Sequence, residues 1–145
     1  MRKQMSSFRF RETRNRLPKY VKEQLYPMMR DCFPETYLSD TLDEFVQSYS
    51  VTPYRHFWIE DQKKTIIIYL KYNLAEHSLW NVCTDKLYRR QGFLFRLLDH
   101  ALSVIRDRPV YLYVLTTNTI ARKAYKKYGF RIVGQHEDAY KMMID

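Results

Sequence analysis

The sequence predicts an α/β fold, a single domain spanning residues 1–145 with a mixed, mostly antiparallel central sheet and helices on both faces. Three observations carry that expectation. The apolar period switches along the chain between helical and alternating spacing. β-Branched and aromatic residues gather in short runs of strand length. With 3 glycines and 5 prolines in 145 residues, little of the chain has linker composition. A hydrophobic fraction of 46% and a charged fraction of 28% belong to a folded domain with a real core.

The elements follow in order. Residues 7–13 alternate, with Phe8 and Phe10 separated by Arg9 and Arg11, and read as a strand. Across 17–33 the positions Tyr20, Val21, Leu25, Met28, Met29 and Phe33 recur at helical spacing, with Pro27 as a kink or division and Pro34-Glu35-Thr36 as a break. Thr41 followed by Glu44 has the spacing of a capping box and opens a second helix. Then the period changes. Residues 57–60, 65–72 and 79–84 read as three neighbouring strands of an antiparallel meander, with turns at 61–64 and 76–78. After Gly92, the residues Leu94, Leu97, Leu98, Ala101, Leu102 and Ile105 define an amphipathic helix. Residues 110–115 read as a strand, 118–128 as a helix stopped by Gly129, and 131–134 and 139–144 as two closing strands. The order is β-α-α-β-β-β-α-β-α-β-β, and the strand–helix–strand unit over 79–115 is expected to be a right-handed crossover.

Composition also narrows the class of function. No apolar run reaches bilayer length, and no signal-peptide segment follows the basic N-terminus, so the expectation is an intracellular, cytoplasmic protein without membrane contact. Cys32 and Cys83 lie far apart without metal-ligand spacing, and read as two reduced thiols; no metal site is expected. The net charge of +9 raises nucleic acid as a partner, and Tyr69, Tyr72, Tyr111 and Tyr113 alternate as stacking residues can. Against that reading, the cations are dispersed, and strand aromatics usually pack under helices. Arg89, Arg90, Arg122, Lys123, Lys126 and Lys127 would serve a phosphorylated small molecule equally well.

Two segments carry chemistry. Arg89-Arg90-Gln91-Gly92 opens an apolar helix, whose first turn offers unpaired N–H groups and a positive dipole end to a phosphate. The same residues also read as a turn glycine beside solvated arginines. Further on, residues 118–130 read N-T-I-A-R-K-A-Y-K-K-Y-G-F. Asn118 has an N-capping reading, and Tyr125 has a second reading as a core aromatic.

Taken together, these segments resemble the GCN5-related N-acetyltransferases (GNAT), whose phosphate loop has the pattern Q/R-x-x-G-x-G/A, here Arg89 to Leu94. The following strand and helix carry an asparagine and a tyrosine at the spacing of Asn118 and Tyr125, ending in Gly129-Phe130. Leu94 departs from the pattern, which has glycine or alanine there.

The resemblance implies a GNAT-like fold and an enzyme that moves an acetyl group from acetyl-CoA to a primary amine by direct attack in a ternary complex. It implies that Val82, Cys83 and Thr84 pair with the pantetheine through their backbones. Arg89, Arg90, Gln91, Gly92, Phe93 and Leu94 would form the pyrophosphate loop, Asn118 would contact the cofactor, and Tyr125 would protonate the leaving thiolate. The strand at 79–84 lacks the glutamate that often serves as base; Glu76 and His77 at its entrance, or a water path, are the candidates. Glu35, Asp40, Glu137 and Asp138 are candidates to meet a cationic acceptor, or are solvated loop carboxylates. The acceptor is left open between a small amine or polyamine and a protein amine, and a homodimer is compatible with the family. The alternatives are an acyl-CoA-binding module without catalysis and a small basic nucleic-acid-binding protein.

Overall fold

The computed structural model describes residues 7–37, 41–48 and 53–145. Its elements are β1 (Phe8–Arg14), α1 (Lys19–Cys32), α2 (Pro34–Tyr37), α3 (Leu42–Ser48), β2 (Tyr54–Asp61), β3 (Ile66–Asn73), β4 (Ser78–Thr84), α4 (Phe93–Val104), β5 (Val110–Leu115), α5 (Thr119–Tyr128), β6 (Arg131–His136) and β7 (Ala139–Ile144). A 3₁₀ turn, Lys86–Tyr88, links β4 to the loop before α4. The strands form one sheet in the order β1-β2-β3-β4-β5-β7-β6. Every pairing is antiparallel except that of β4 with β5.

Alternation along the strands builds two cores. On one face Phe57, Ile59, Leu70 and Leu79 pack beneath Leu97, Leu98 and Ala101 of α4 and Tyr125 of α5. On the other, Trp58, Ile66 and Tyr69 meet Val21, Leu25 and Met29 of α1. The central strands are covered on both sides, so β3 is buried from end to end and reads as a continuous apolar run rather than an alternating one. Glu60, caught between the layers and 1% exposed, is paired: it accepts from Tyr20 Oη at 2.6 Å and from Trp58 Nε1 at 2.8 Å.

Local chemistry explains several boundaries. Pro27 sits inside α1 without ending it. Pro34 does not simply break the chain but starts the short helix α2, since a proline at the first helical position lacks only an N–H that would be unpaired anyway. The capping box is present in both directions: Glu44 N donates to Thr41 Oγ1, and Thr41 N donates to Glu44 Oε2, each at 3.2 Å. Gly129 ends α5 with φ +133°.

One expectation is overturned. Cys32 and Cys83 are joined in a disulfide across 51 residues of sequence. Their separation in sequence conceals that α1 ends beside β4; the fold, not the spacing, brings the two sulfurs together.

Candidate active site

The decisive feature is a split between two parallel neighbours. β4 and β5 pair only at Ser78↔Tyr111 and Leu79↔Leu112, whereas β4 stays paired with β3 as far as Ile68↔Thr84. From Trp80 onward the β5 side of β4 is therefore an open edge. A bulge accompanies the split. Between Lys71↔Trp80 and Tyr69↔Cys83 the strand β4 carries one residue more than β3, and Asn81 lies there with φ +54°. Asparagine is one of the few residues that tolerates the left-handed region. Asp85 N donates to Ile67 O, so strand alternation turns Cys83 towards β3 and the amide groups of Thr84 towards the open side.

The open edge borders a cleft of about 530 Å³ whose lining includes Val82, Thr84, Arg90, Leu94, Asn118 and Tyr125. Cys83, Arg89 and Gly92 line it as well. Gly92 precedes α4 with φ +85° and ψ 5°, and no side chain caps the helix. The first intrahelical bond is Arg96 N to Gly92 O at 3.3 Å, which leaves the amides of Phe93, Leu94 and Phe95 without helical acceptors. A Cβ on Gly92 would meet no atom within 4 Å, so the space before those amides is open. These features fit a phosphate group: free N–H donors, a dipole end and room for close approach.

Asn118 caps α5 by accepting from Ala121 N at 3.2 Å, so the capping reading holds while the residue also borders the cleft. Tyr125 is 7% exposed, and burial pushes its phenol well above the ordinary range, so it is neutral across the working pH. Its ring packs edge-on against Phe130 at 5.9 Å. The core reading and the cleft reading are both satisfied, because the ring belongs to the core cluster and the residue also reaches the cleft wall.

Other predicted residues are placed differently. Arg89 is engaged by the protein itself: its Nε donates to Thr84 O at 3.1 Å and its guanidinium pairs with Asp31 at 2.7 Å. Gln91 donates to Leu87 O, and the Phe93 ring packs against Phe8 in the core; neither side chain is part of the cleft wall. His77 precedes β4 with φ +54° and is carried to Tyr72 and Asp107, 4.0 Å from the Asp107 carboxylate and outside the cleft. Glu35 is exposed on α2 and borders no cleft described here, while Asp40 lies outside the described residues.

Glu137 and Asp138 are brought to a second cavity, of about 910 Å³, which shares no lining residue with the first. Glu76, Trp80 and Tyr113 share its wall. Trp80 stacks on Tyr113 at 5.5 Å, and its Nε1 donates to Ser78 Oγ at 2.6 Å. Ser78 Oγ in turn reaches Glu76 Oε2 at 3.5 Å. Sequence reasoning passed over Asn81 and Trp80, and read Tyr113 only as a stacking residue for nucleic acid. The one signal available was an asparagine inside a strand run, a residue depleted from strand interiors and suited to a bulge.

Comparison with known proteins agrees with this geometry. The family model described as "Acetyltransferase (GNAT) family" matches residues 22–130, and the chain belongs to that family. The fold is shared with several solved structures. A spermidine N-acetyltransferase from Vibrio cholerae in complex with CoA and spermine superposes with a TM-score of 0.71 at 19% identity, covering 96% of this chain and 95% of that one. The PaiA N-acetyltransferase from Thermoplasma acidophilum, in complex with coenzyme A, gives 0.72 at 18% identity over 94% and 98%. An acyl-CoA N-acyltransferase from Pseudomonas aeruginosa gives 0.74 at 19% over 96% and 100%. No curated protein sequence matches at a significant level. The protein is an acetyl-CoA-dependent N-acetyltransferase with a GNAT fold. No described helix is long and apolar enough to cross a membrane, and the described residues hold no metal-binding cluster of His, Cys, Asp or Glu.

Proposed function

We propose that the protein acetylates a small amine carrying more than one positive charge, in a ternary complex built around β4. The observation that carries this reading is that β4 borders two cavities: Val82 and Thr84 line the cofactor cleft, while Ser78 and Trp80 line the carboxylate-bearing cavity. Acetyl-CoA supplies the activated acyl group. The amides at the start of α4 hold its pyrophosphate, and the open edge of β4 takes its pantetheine. Tyr125 holds a proton at its Oη for the departing sulfur. Burial keeps that proton in place at neutral pH.

On the acceptor side, Glu137 and Asp138 attract cations to the rim, and the stacked rings of Trp80 and Tyr113 offer a surface for an ammonium or its methylene chain. Glu76 takes the proton that the amine must lose before attack, a reading supported by its contact with Ser78 Oγ at 3.5 Å. Three carboxylates against one lysine, Lys141, in one cavity of a chain with net charge +9 favour a polycation over a neutral or acidic acceptor.

Thiol release measured with spermidine, a short diamine, a monoamine and a lysine peptide tests the proposal. The expected kcat/KM for the di- and polyamines exceeds that of the monoamine by about tenfold or more, equivalent to roughly 1.4 kcal/mol. Glu137→Gln with Asp138→Asn should remove most of that preference. Equal rates for all four acceptors would contradict the reading.

A further inference from the structure

The disulfide stands in the wall of the cofactor cleft: Cys32 at the end of α1 and Cys83 on β4 both line the space shared by Val82, Thr84 and Tyr125. Its two sulfurs have different surroundings. Cys83 is 2% exposed, and its Sγ lies 3.4 Å from Met28 O. Cys32 is partly exposed, and its Sγ lies 3.6 Å from an Arg89 guanidinium nitrogen. That guanidinium is fixed by Asp31 and by the Thr84 carbonyl.

We propose that Cys32–Cys83 is a thiol-exchange site at which free CoA becomes covalently attached to Cys32. This rests on the assignment of the cleft to acetyl-CoA. Free CoA is the product released by the family's reaction, so a thiol is generated in the cleft that the disulfide lines. Acetyl-CoA has its sulfur acylated and cannot exchange.

The chemistry is balanced without an outside oxidant. The CoA thiolate attacks Sγ of Cys32, the Cys32–Cys83 bond breaks, and a CoA–Cys32 disulfide forms. The departing Cys83 sulfur takes up a proton, and its S–H finds an acceptor in Met28 O. Attack falls on Cys32 because access decides which sulfur is reached. The reverse step, attack by Cys83 on the adduct, frees CoA and restores the disulfide, with Arg89 beside the Cys32 sulfur through both directions. Accumulated CoA would in this way occupy the cleft covalently, and acetyl-CoA would not.

The test uses the wild-type chain with its disulfide intact. It is incubated with CoA, acetyl-CoA or glutathione at equal concentration, quenched with an alkylating reagent and analysed by intact mass without reductant. The expected product carries one CoA and one alkyl group, with CoA mapped to Cys32 and the alkyl group to Cys83. Its yield should exceed that of the glutathione adduct by about tenfold, and acetyl-CoA should give none. Cys83→Ser treated with CoA disulfide should hold the adduct at Cys32 permanently until reductant is added, since the resolving sulfur is gone. Thermal melting with acetyl-CoA is run alongside. A melting shift without any CoA adduct, or an adduct formed equally well by glutathione, would overturn the exchange site and leave the cofactor cleft standing. Absence of both shift and adduct would overturn the cofactor assignment as well.

Discussion

Tyr125 belongs to the core cluster and also borders the cleft, so one side chain is available both to packing and to the chemistry proposed for it. Its ring is held by the core and by Phe130, while burial keeps its phenol protonated far into the alkaline range. Tyr125→Phe should therefore leave acetyl-CoA binding, read as a melting shift, nearly unchanged while lowering kcat by about 10²–10⁴-fold, the usual yield of general acid catalysis. A variant that melts normally and turns over at the wild-type rate would remove Tyr125 from the mechanism. Tyr125 and Asn118 could be singled out in the sequence because their spacing matches the pattern that the family resemblance supplies. The place of His77 was not legible there, since it depends on which way a turn leaves its strand. His77 has φ +54° and points to Asp107, a tertiary outcome that no local pattern records.

At the scale of the element, β4 determines the site. Its bulge turns one strand from a paired neighbour of β5 into an open edge, and Asn81 is the residue whose backbone makes this cheap. Asn81→Gly should keep both stability and turnover close to wild type. Asn81→Val, which places a β-branched residue at positive φ, should cost on the order of 1–3 kcal/mol and impair cofactor binding; urea unfolding and acetyl-CoA melting curves check the two parts. Equal behaviour of the two variants would mean that the bulge is not what opens the edge.

The β2–β3 pair makes a separate prediction. His56 is fully buried, and burial, reinforced by Lys71 and Lys22, depresses its pKa from 6.5 to about 4. Because the folded pKa lies below the unfolded one, the stabilisation is complete above pH 6.5 and is lost as pH falls towards 4, where the unfolded chain takes a proton that the folded chain refuses. The loss should approach about 3 kcal/mol. Urea unfolding at pH 7.5 and pH 4.5 should show a far steeper decline for wild type than for His56→Gln; parallel declines would contradict it. The capping box of α3 and the strand runs could be read directly from sequence, because each depends on residues a few positions apart. The bulge and the disulfide could not, because each is created by a partner on a different element.

For the molecule as a whole, the order of elements and the two-faced sheet followed from periodicity, and the phosphate loop and the Asn118–Tyr125 helix from the family resemblance. What sequence withheld was the second cavity, where Glu76, Glu137 and Asp138 converge from the β3–β4 and β6–β7 turns with Trp80 and Tyr113. Those residues are 61 positions apart at Glu76 and Glu137, and meet only because the sheet order places β7 and β6 beyond β5. The central claim is that the split beside β4 binds acetyl-CoA, and thermal melting with and without acetyl-CoA tests it most directly. Ligand at about a hundredfold excess over Kd stabilises the native state by roughly 2.7 kcal/mol, so a shift of several degrees is expected. An unchanged midpoint at millimolar acetyl-CoA would contradict the account.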